Sequence, residues 1–195
     1  MDYMHFSRFP TKKFLPFIVI GVIVVFVVVI SWREQQKSGS LPGPPVKLLS
    51  PEKRPSEGTD FTLPDLSGNS IRLAELKGNV VLVNFFATWC APCRDEMPTL
   101  EKVFRTYQNK GFLVLGVAGD SKGQEVVEPF VKKYGVTFPV VLDAENVVQR
   151  QYGVRGIPAV YLFDRQGKIA TMYVGGANWD SAEAHALIDE LLKES

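Results

Sequence analysis

Val80-Val81-Leu82-Val83-Asn84-Phe85-Phe86-Ala87 runs directly into Thr88-Trp89-Cys90-Ala91-Pro92-Cys93, and this junction decides the fold. A run apolar throughout except for Asn84 predicts a strand covered on both faces, as at the centre of an α/β sheet. Beyond the cysteines, Leu100, Val103, Phe104 and Tyr107 recur at helical spacing and predict a helix over about Ala91 to Asn109. A strand that ends in Cys-x-x-Cys and then turns helical places the first sulfur at a helix N-terminus. There the unsatisfied backbone N–H groups favour a thiolate. The second sulfur lies within the first turn, in reach of a mixed disulfide on the first. Pro92 suits that turn, because its φ is preset and its missing N–H costs little.

Working outward, the pattern alternates strand and helix from Gly58 onward. Phe61–Leu63 and Ile71–Leu73 flank the turn cluster Asp65-Leu66-Ser67-Gly68-Asn69 and predict a small hairpin. Phe112–Ala118 reads as a second buried strand, 124–134 as a helix and 138–142 as a short strand. A brief helix over 147–152 follows, ending at Gly153. Strands at 159–163 and 169–174 are joined by the turn Asp164-Arg165-Gln166-Gly167-Lys168. A last helix opens at Asp180, with Glu183 completing a capping box, and runs to Lys193. The sum is an α/β fold with a mixed central sheet flanked by helices.

The front of the chain differs. Phe14 to Trp32 are 19 residues without a charge. As a helix they span roughly 28 Å, close to the hydrocarbon thickness of a bilayer. A cleaved signal peptide is the rival reading, since Arg8, Lys12 and Lys13 precede the run, but Val29-Ile30-Ser31-Trp32-Arg33 offers no A-x-A-like site. The expected organisation is therefore a cytoplasmic N-terminus (1–13), a transmembrane anchor (14–32), a Pro/Gly-rich linker (33–57) and a catalytic domain (58–195). The slight excess of basic residues before the span favours N-in, with the domain on the extracytoplasmic, periplasmic side of the cell membrane. Gly39, Pro42, Gly43, Pro44, Pro45, Pro51 and Pro55 suit a stiff tether.

Residues 1–57 carry eight Lys/Arg and four Asp/Glu, against fourteen and seventeen in 58–195, so the net charge is +4 before the boundary and −3 after it. A faintly acidic domain argues against a nucleic-acid partner, which would call for a basic stripe. A zinc site needs about four soft ligands, and the chain holds 2 cysteines and 2 histidines, His5 and His185, far from the pair in sequence. No metal is expected, and no cofactor beyond the cysteine pair itself. In an oxidising compartment, with no other cysteine to staple the fold, that pair reads as redox chemistry.

Val83 to Pro98 and the Tyr152-Gly153-Val154-Arg155-Gly156-Ile157-Pro158-Ala159 loop resemble the thioredoxin superfamily, and the opening Asp60 to Leu66 with Leu76 to Asn84 narrows the likeness. More narrowly they are similar to its membrane-anchored TlpA/ResA-type thiol-disulfide oxidoreductases, over nearly all of 58–195. The resemblance implies a thioredoxin-like fold with an N-terminal hairpin and a helix–strand insertion near 120–142. It implies Cys90 as attacking thiolate, Cys93 as resolving thiol, and a cis Ile157–Pro158 bond beside them whose backbone meets an extended client segment. Pro98 then bends the helix in a structural role. Trp89 is either an apolar contact for partner chains or plain packing. Glu96, one turn after Cys93, either tunes the thiols or is a solvated charge beside Arg94 and Asp95. Asn84 replaces the buried aspartate of thioredoxins and cannot ionise, which leaves Glu96 or water to take the proton of Cys93.

The function implied is an extracytoplasmic thiol-disulfide oxidoreductase. It reduces disulfides in exported clients such as apo-cytochrome c, with electrons from a membrane thiol carrier. A thioredoxin-fold copper chaperone or client receptor is the alternative. A thiol peroxidase ranks last: the opening is AhpC-like, but Ala87 stands where peroxidatic sites carry Thr or Ser three residues before the cysteine.

Overall fold

The computed structural model describes residues 25–26, 41–55 and 60–194, and the chain divides into two units, Met1–Ser40 and Leu41–Ser195. The expected anchor at 14–32 lies outside the described residues apart from Val25 and Phe26, which are helical and exposed. Among the described residues no helix is long and apolar enough to cross a membrane.

The second unit is built on a mixed five-stranded sheet. The hairpin strands are β1 (Thr62–Pro64) and β2 (Ser70–Arg72), followed by β3 (Val80–Phe86), β4 (Phe112–Ala118), β5 (Val140–Leu142), β6 (Ala159–Phe163) and β7 (Ile169–Val174). In the large sheet the order is β5-β4-β3-β6-β7; β3–β4 and β4–β5 are parallel, β3–β6 and β6–β7 antiparallel. All seven residues of β3 are buried because it is central and covered on both faces. The helices are α1 (Ala91–Tyr107), α2 (Gln124–Tyr134), α3 (Val147–Gln151) and α4 (Ala182–Lys193). Val80, Leu82 and Phe86 face the core shared with α1, α2 and α4; Val81, Val83 and Phe85 face the other core, with Phe61, Leu73 and Val148. Asn84 therefore falls on the α1 side, since side chains alternate along a strand.

The insertion consists of α2 and β5, and β5 forms the sheet edge beside β4. Buried Glu101 of α1 fastens it by accepting the Thr137 N–H at 2.8 Å and the Thr137 hydroxyl at 2.6 Å. Several boundaries shift by one or two residues from expectation, and two of the shifts have a visible cause. Ser181, not Asp180, caps α4, its hydroxyl accepting the Ala184 N–H at 3.2 Å. Both residue types cap well, and Asp180 is instead beside His185 Nε2 at 3.1 Å. Helix α1 stops at Tyr107, passing through a 3-10 turn to Gly111, which adopts φ +83°.

A larger difference concerns the expected linker. Over 41–55 it lies on the domain as a strap rather than standing off as a tether. Pro42 O accepts the Asn178 N–H at 2.7 Å, and the Leu49 N–H donates to Ala170 O at 2.8 Å. A Cβ on Gly43 would come within 2.5 Å of Ser181 Oγ and Glu183 Oε2. The far end is clasped by Arg54, whose buried guanidinium donates to Asp164 at 2.9 Å, to both carboxylate oxygens of Glu194 and to Leu49 O at 3.0 Å. Asp164 also accepts the Gln166 and Lys168 N–H groups, so one carboxylate sets the β6–β7 turn and receives the strap. Removing one member of a buried pair leaves the other charge uncompensated. Arg54→Leu should lower the unfolding free energy by about 3 kcal/mol in urea titration; a loss under about 1 kcal/mol, the size of a surface pair, would contradict the clasp.

Candidate active site

Cys90 is the N-cap of α1, with extended φ/ψ, and its sulfur accepts the Cys93 N–H at 3.2 Å. That bond satisfies one of the donors a helix start leaves open. Cys90 and Cys93 are joined as a disulfide. Both are buried, Cys90 at 5% exposure and Cys93 at 0%, so the first cysteine is the more accessible by only a narrow margin. Pro92 occupies the first turn and is exposed; Pro98 lies inside the continuous helix, where its ring leaves Arg94 O without the usual i+4 donor.

The turn before the cysteines is held from two sides. Buried Asp120, just after β4, accepts both the N–H of Thr88, at 3.0 Å, and its hydroxyl, at 2.7 Å. The Arg94 guanidinium donates to Thr88 O at 3.3 Å, and the Cys90 N–H donates to Ala87 O at 3.1 Å. Clamping Thr88 leaves Trp89 to project: it is 70% exposed, which rules out plain packing. Thr88 and Asp120 were not singled out from sequence. An Asp placed after the second buried strand was the available signal.

Across from the cysteines, the Ile157–Pro158 peptide bond is cis, as the resemblance implies. Ile157 O stands 3.7 Å from Cys90 Sγ, Ile157 is half-buried and Pro158 is buried. Tyr161 OH donates to Tyr152 O at 2.6 Å, and the Gly175 N–H donates to Pro158 O at 2.9 Å, so β6 and the segment after β7 both brace this loop.

Glu96 is fully buried, which overturns its reading as a solvated charge. Its Oε2 accepts the Ala177 N–H at 3.3 Å. Burial pushes its pKa up to about 8, against the opposing pull of the Ala177 N–H and the side chains of Trp179 and Asn84. Trp179 was missed in the sequence, where Gly175-Gly176-Ala177-Asn178-Trp179 carries no local mark of contact with α1. His185 is engaged elsewhere, with Nδ1 at 3.0 Å from Tyr107 OH and Nε2 beside Asp180.

The comparisons agree with this geometry. Residues 56–172 match the model of the AhpC/TSA family. The chain is 37% identical over 131 residues to the thiol-disulfide oxidoreductase ResA of Geobacillus thermodenitrificans, covering 67% of this chain and 74% of that protein. It is 39% identical over 124 residues to ResA of Bacillus subtilis, covering 62% and 68%. Among solved structures, a putative thiol:disulfide interchange protein DsbE from Chlorobium tepidum superposes with a TM-score of 0.67 at 32% identity, covering 72% of this chain and 98% of that one. A putative thioredoxin from Neisseria meningitidis gives 0.64 at 36% identity, covering 71% and 91%.

The buried carboxyl makes a stability prediction. With a native pKa near 8 against about 4.5 unfolded, the native state holds one proton more between those values. Stability from Glu96 is then full below pH 4.5 and is lost as pH rises through 8, at up to about 1.4 kcal/mol per pH unit. Glu96→Gln should therefore gain on the natural protein as pH rises from 5 to 8 in urea titrations of the oxidised form. A pH-independent difference would show that Glu96 does not titrate in this range.

Proposed function

We propose that this chain, which belongs to the AhpC/TSA family and is a protein thiol-disulfide oxidoreductase, works as a membrane-tethered reductase outside the cytoplasm. The observation that carries the reading is the cysteine pair at the N-terminus of α1, flanked by exposed Trp89 on one side and by Ile157 O and cis Pro158 on the other. Helix-terminal N–H groups stabilise a thiolate at Cys90 once the pair is reduced.

In the reductive direction the Cys90 thiolate attacks a client disulfide. A Cys90–client S–S bond forms, the client S–S bond breaks, and one client sulfur leaves as thiolate. Cys93, after giving up its proton, attacks the Cys90 sulfur, releases the second client thiolate and closes the Cys90–Cys93 bond. Two electrons pass from the dithiol to the client. The two client thiolates take up protons, and a thiol carrier in the membrane re-reduces the pair.

Glu96, in the ionised form it reaches as pH rises toward 8, is the group assigned to take the Cys93 proton, one helical turn away and buried, with Asn84 unable to ionise. Trp89 and the Ile157–Pro158 backbone receive the client segment. The Phe14–Trp32 run is the anchor and apo-cytochrome c is a candidate among exported clients, on the strength of the TlpA/ResA resemblance. Reduction rather than oxidation is favoured by the same resemblance.

Cys93→Ser should accumulate mixed disulfides through Cys90 with exported cysteine-bearing proteins, seen as thiol-reversible adducts on non-reducing gels. Cys90→Ser should accumulate none. Failure of Cys93→Ser to trap any client in the native membrane would overturn the proposal.

A further inference from the structure

Four side-chain atoms near the active-site helix are buried and lack a hydrogen-bond partner among the described residues: Asn84 Nδ2 and Oδ1, Glu96 Oε1 and Trp179 Nε1; Gln149 Nε2 is the fifth such atom. Burying a donor or acceptor without a partner is costly, because its bonds to water are lost and not replaced. These four belong to three side chains that meet one another. Asn84, from the sheet, and Trp179, from the segment after β7, both favour the ionised form of the Glu96 carboxyl without making a direct hydrogen bond to it. All three residues are 0–1% exposed, so no bulk water competes for them.

The backbone around Trp179 is tied to the same turn of α1 that carries Glu96. The Trp179 N–H donates to Thr99 Oγ1 at 3.0 Å, and that hydroxyl donates to Glu96 O at 2.7 Å. Two residues earlier, the Ala177 N–H reaches Glu96 Oε2. These backbone bonds at Ala177 and Trp179 keep the segment on the Glu96 turn, and the indole N–H has no hydrogen-bond partner among the described residues.

We infer that Trp179 and Asn84 are positioning residues for Glu96: their side-chain N–H groups wall the buried carboxyl and set which protonation state it holds while the cysteine pair exchanges electrons. The influences on the carboxyl are burial, the Ala177 N–H and these two side chains, and none of the three partners ionises. On α1 itself the titratable groups nearest in sequence are Cys93, which ionises only once reduced, and Arg94 and Asp95, which are not buried. Asp180, next to Trp179, is occupied by His185 and Lys102. The indole N–H favours the ionised carboxylate, so its loss raises the pH at which Glu96 gives up its proton.

The inference deepens the proposed function and rests on Glu96 as the proton acceptor, and the experiment separates the two. In the oxidised full chain, the Trp179 indole 15N–1H resonance and the Glu96 side-chain 13C resonance are followed against pH. Both should move with one midpoint, and the indole movement should vanish in Glu96→Gln. Trp179→Phe keeps an aromatic side chain and removes the donor, and it should raise the Glu96 midpoint by about 1 pH unit, the equivalent of one charge-assisted hydrogen bond. Asn84→Leu should raise it as well, and the indole titration in the natural protein needs no variant to fold. A pH-flat indole, or a Glu96 midpoint unmoved in Trp179→Phe, overturns the inference. If the midpoint moves but Glu96→Gln leaves the pH profile of client reduction unchanged, the positioning stands and the proton role assigned to Glu96 falls.

Discussion

The start of one helix governs this protein. Cys90 sits where α1 has no preceding turn, and its sulfur takes the Cys93 N–H that the helix cannot use itself. Every neighbouring element keeps that point fixed. The buried β3 delivers the chain to it, and Asp120 and Arg94 hold Thr88 so that the turn cannot unwind into the helix. The cis-proline loop closes the opposite side, with Ile157 O against the Cys90 sulfur. A dithiol placed so is stabilised in its ionised form by backbone dipoles, with no need of a neighbouring cation.

The segment after β7 links these parts. Gly175 braces Pro158, Ala177 contacts Glu96, and Trp179 bonds to Thr99. A Cβ on Gly176 would lie 3.2 Å from Pro92 Cβ and 3.3 Å from Leu41 Cδ1, so this residue is small where the active-site turn and the strap converge. The strap adds Pro42 as acceptor for the Asn178 N–H and is pinned at its other end by Arg54. Chain that leads toward the expected anchor therefore packs on the same short segment that supports the redox site.

Much of this was legible in the sequence because it is local. The apolar run Val80–Phe86, the Cys-x-x-Cys and the periodic residues of α1 specify strand, turn and helix from neighbours alone. Strands β4, β6 and β7 and helix α2 fall where the pattern placed them, and turn residues such as Gly167 mark the hairpins. What escaped depends on partners distant in sequence. Proline-rich 41–55 reads as a tether until Arg54 meets Asp164 and Glu194, which lie 110 and 140 residues on. Glu96 sits beside Arg94 and Asp95 and reads equally well as solvated; only the packing of Trp179 and Ala177 over α1 shows that it is buried. The one-residue shift of the α4 cap has a smaller cause, since Asp180 and Ser181 cap comparably and the pairing of Asp180 with His185 decides between them.

The claim beneath all of this is that the N-terminus of α1 holds the sulfur of Cys90 ionised in the reduced protein. The rate of Cys90 carboxymethylation by iodoacetate against pH, read by mass spectrometry on the reduced full chain, tests it directly. The account predicts a midpoint below the ordinary thiol value of about 8.5, with reaction confined to Cys90 while Cys93 stays protected. A midpoint at about 8.5, or preferential modification of Cys93, would contradict it.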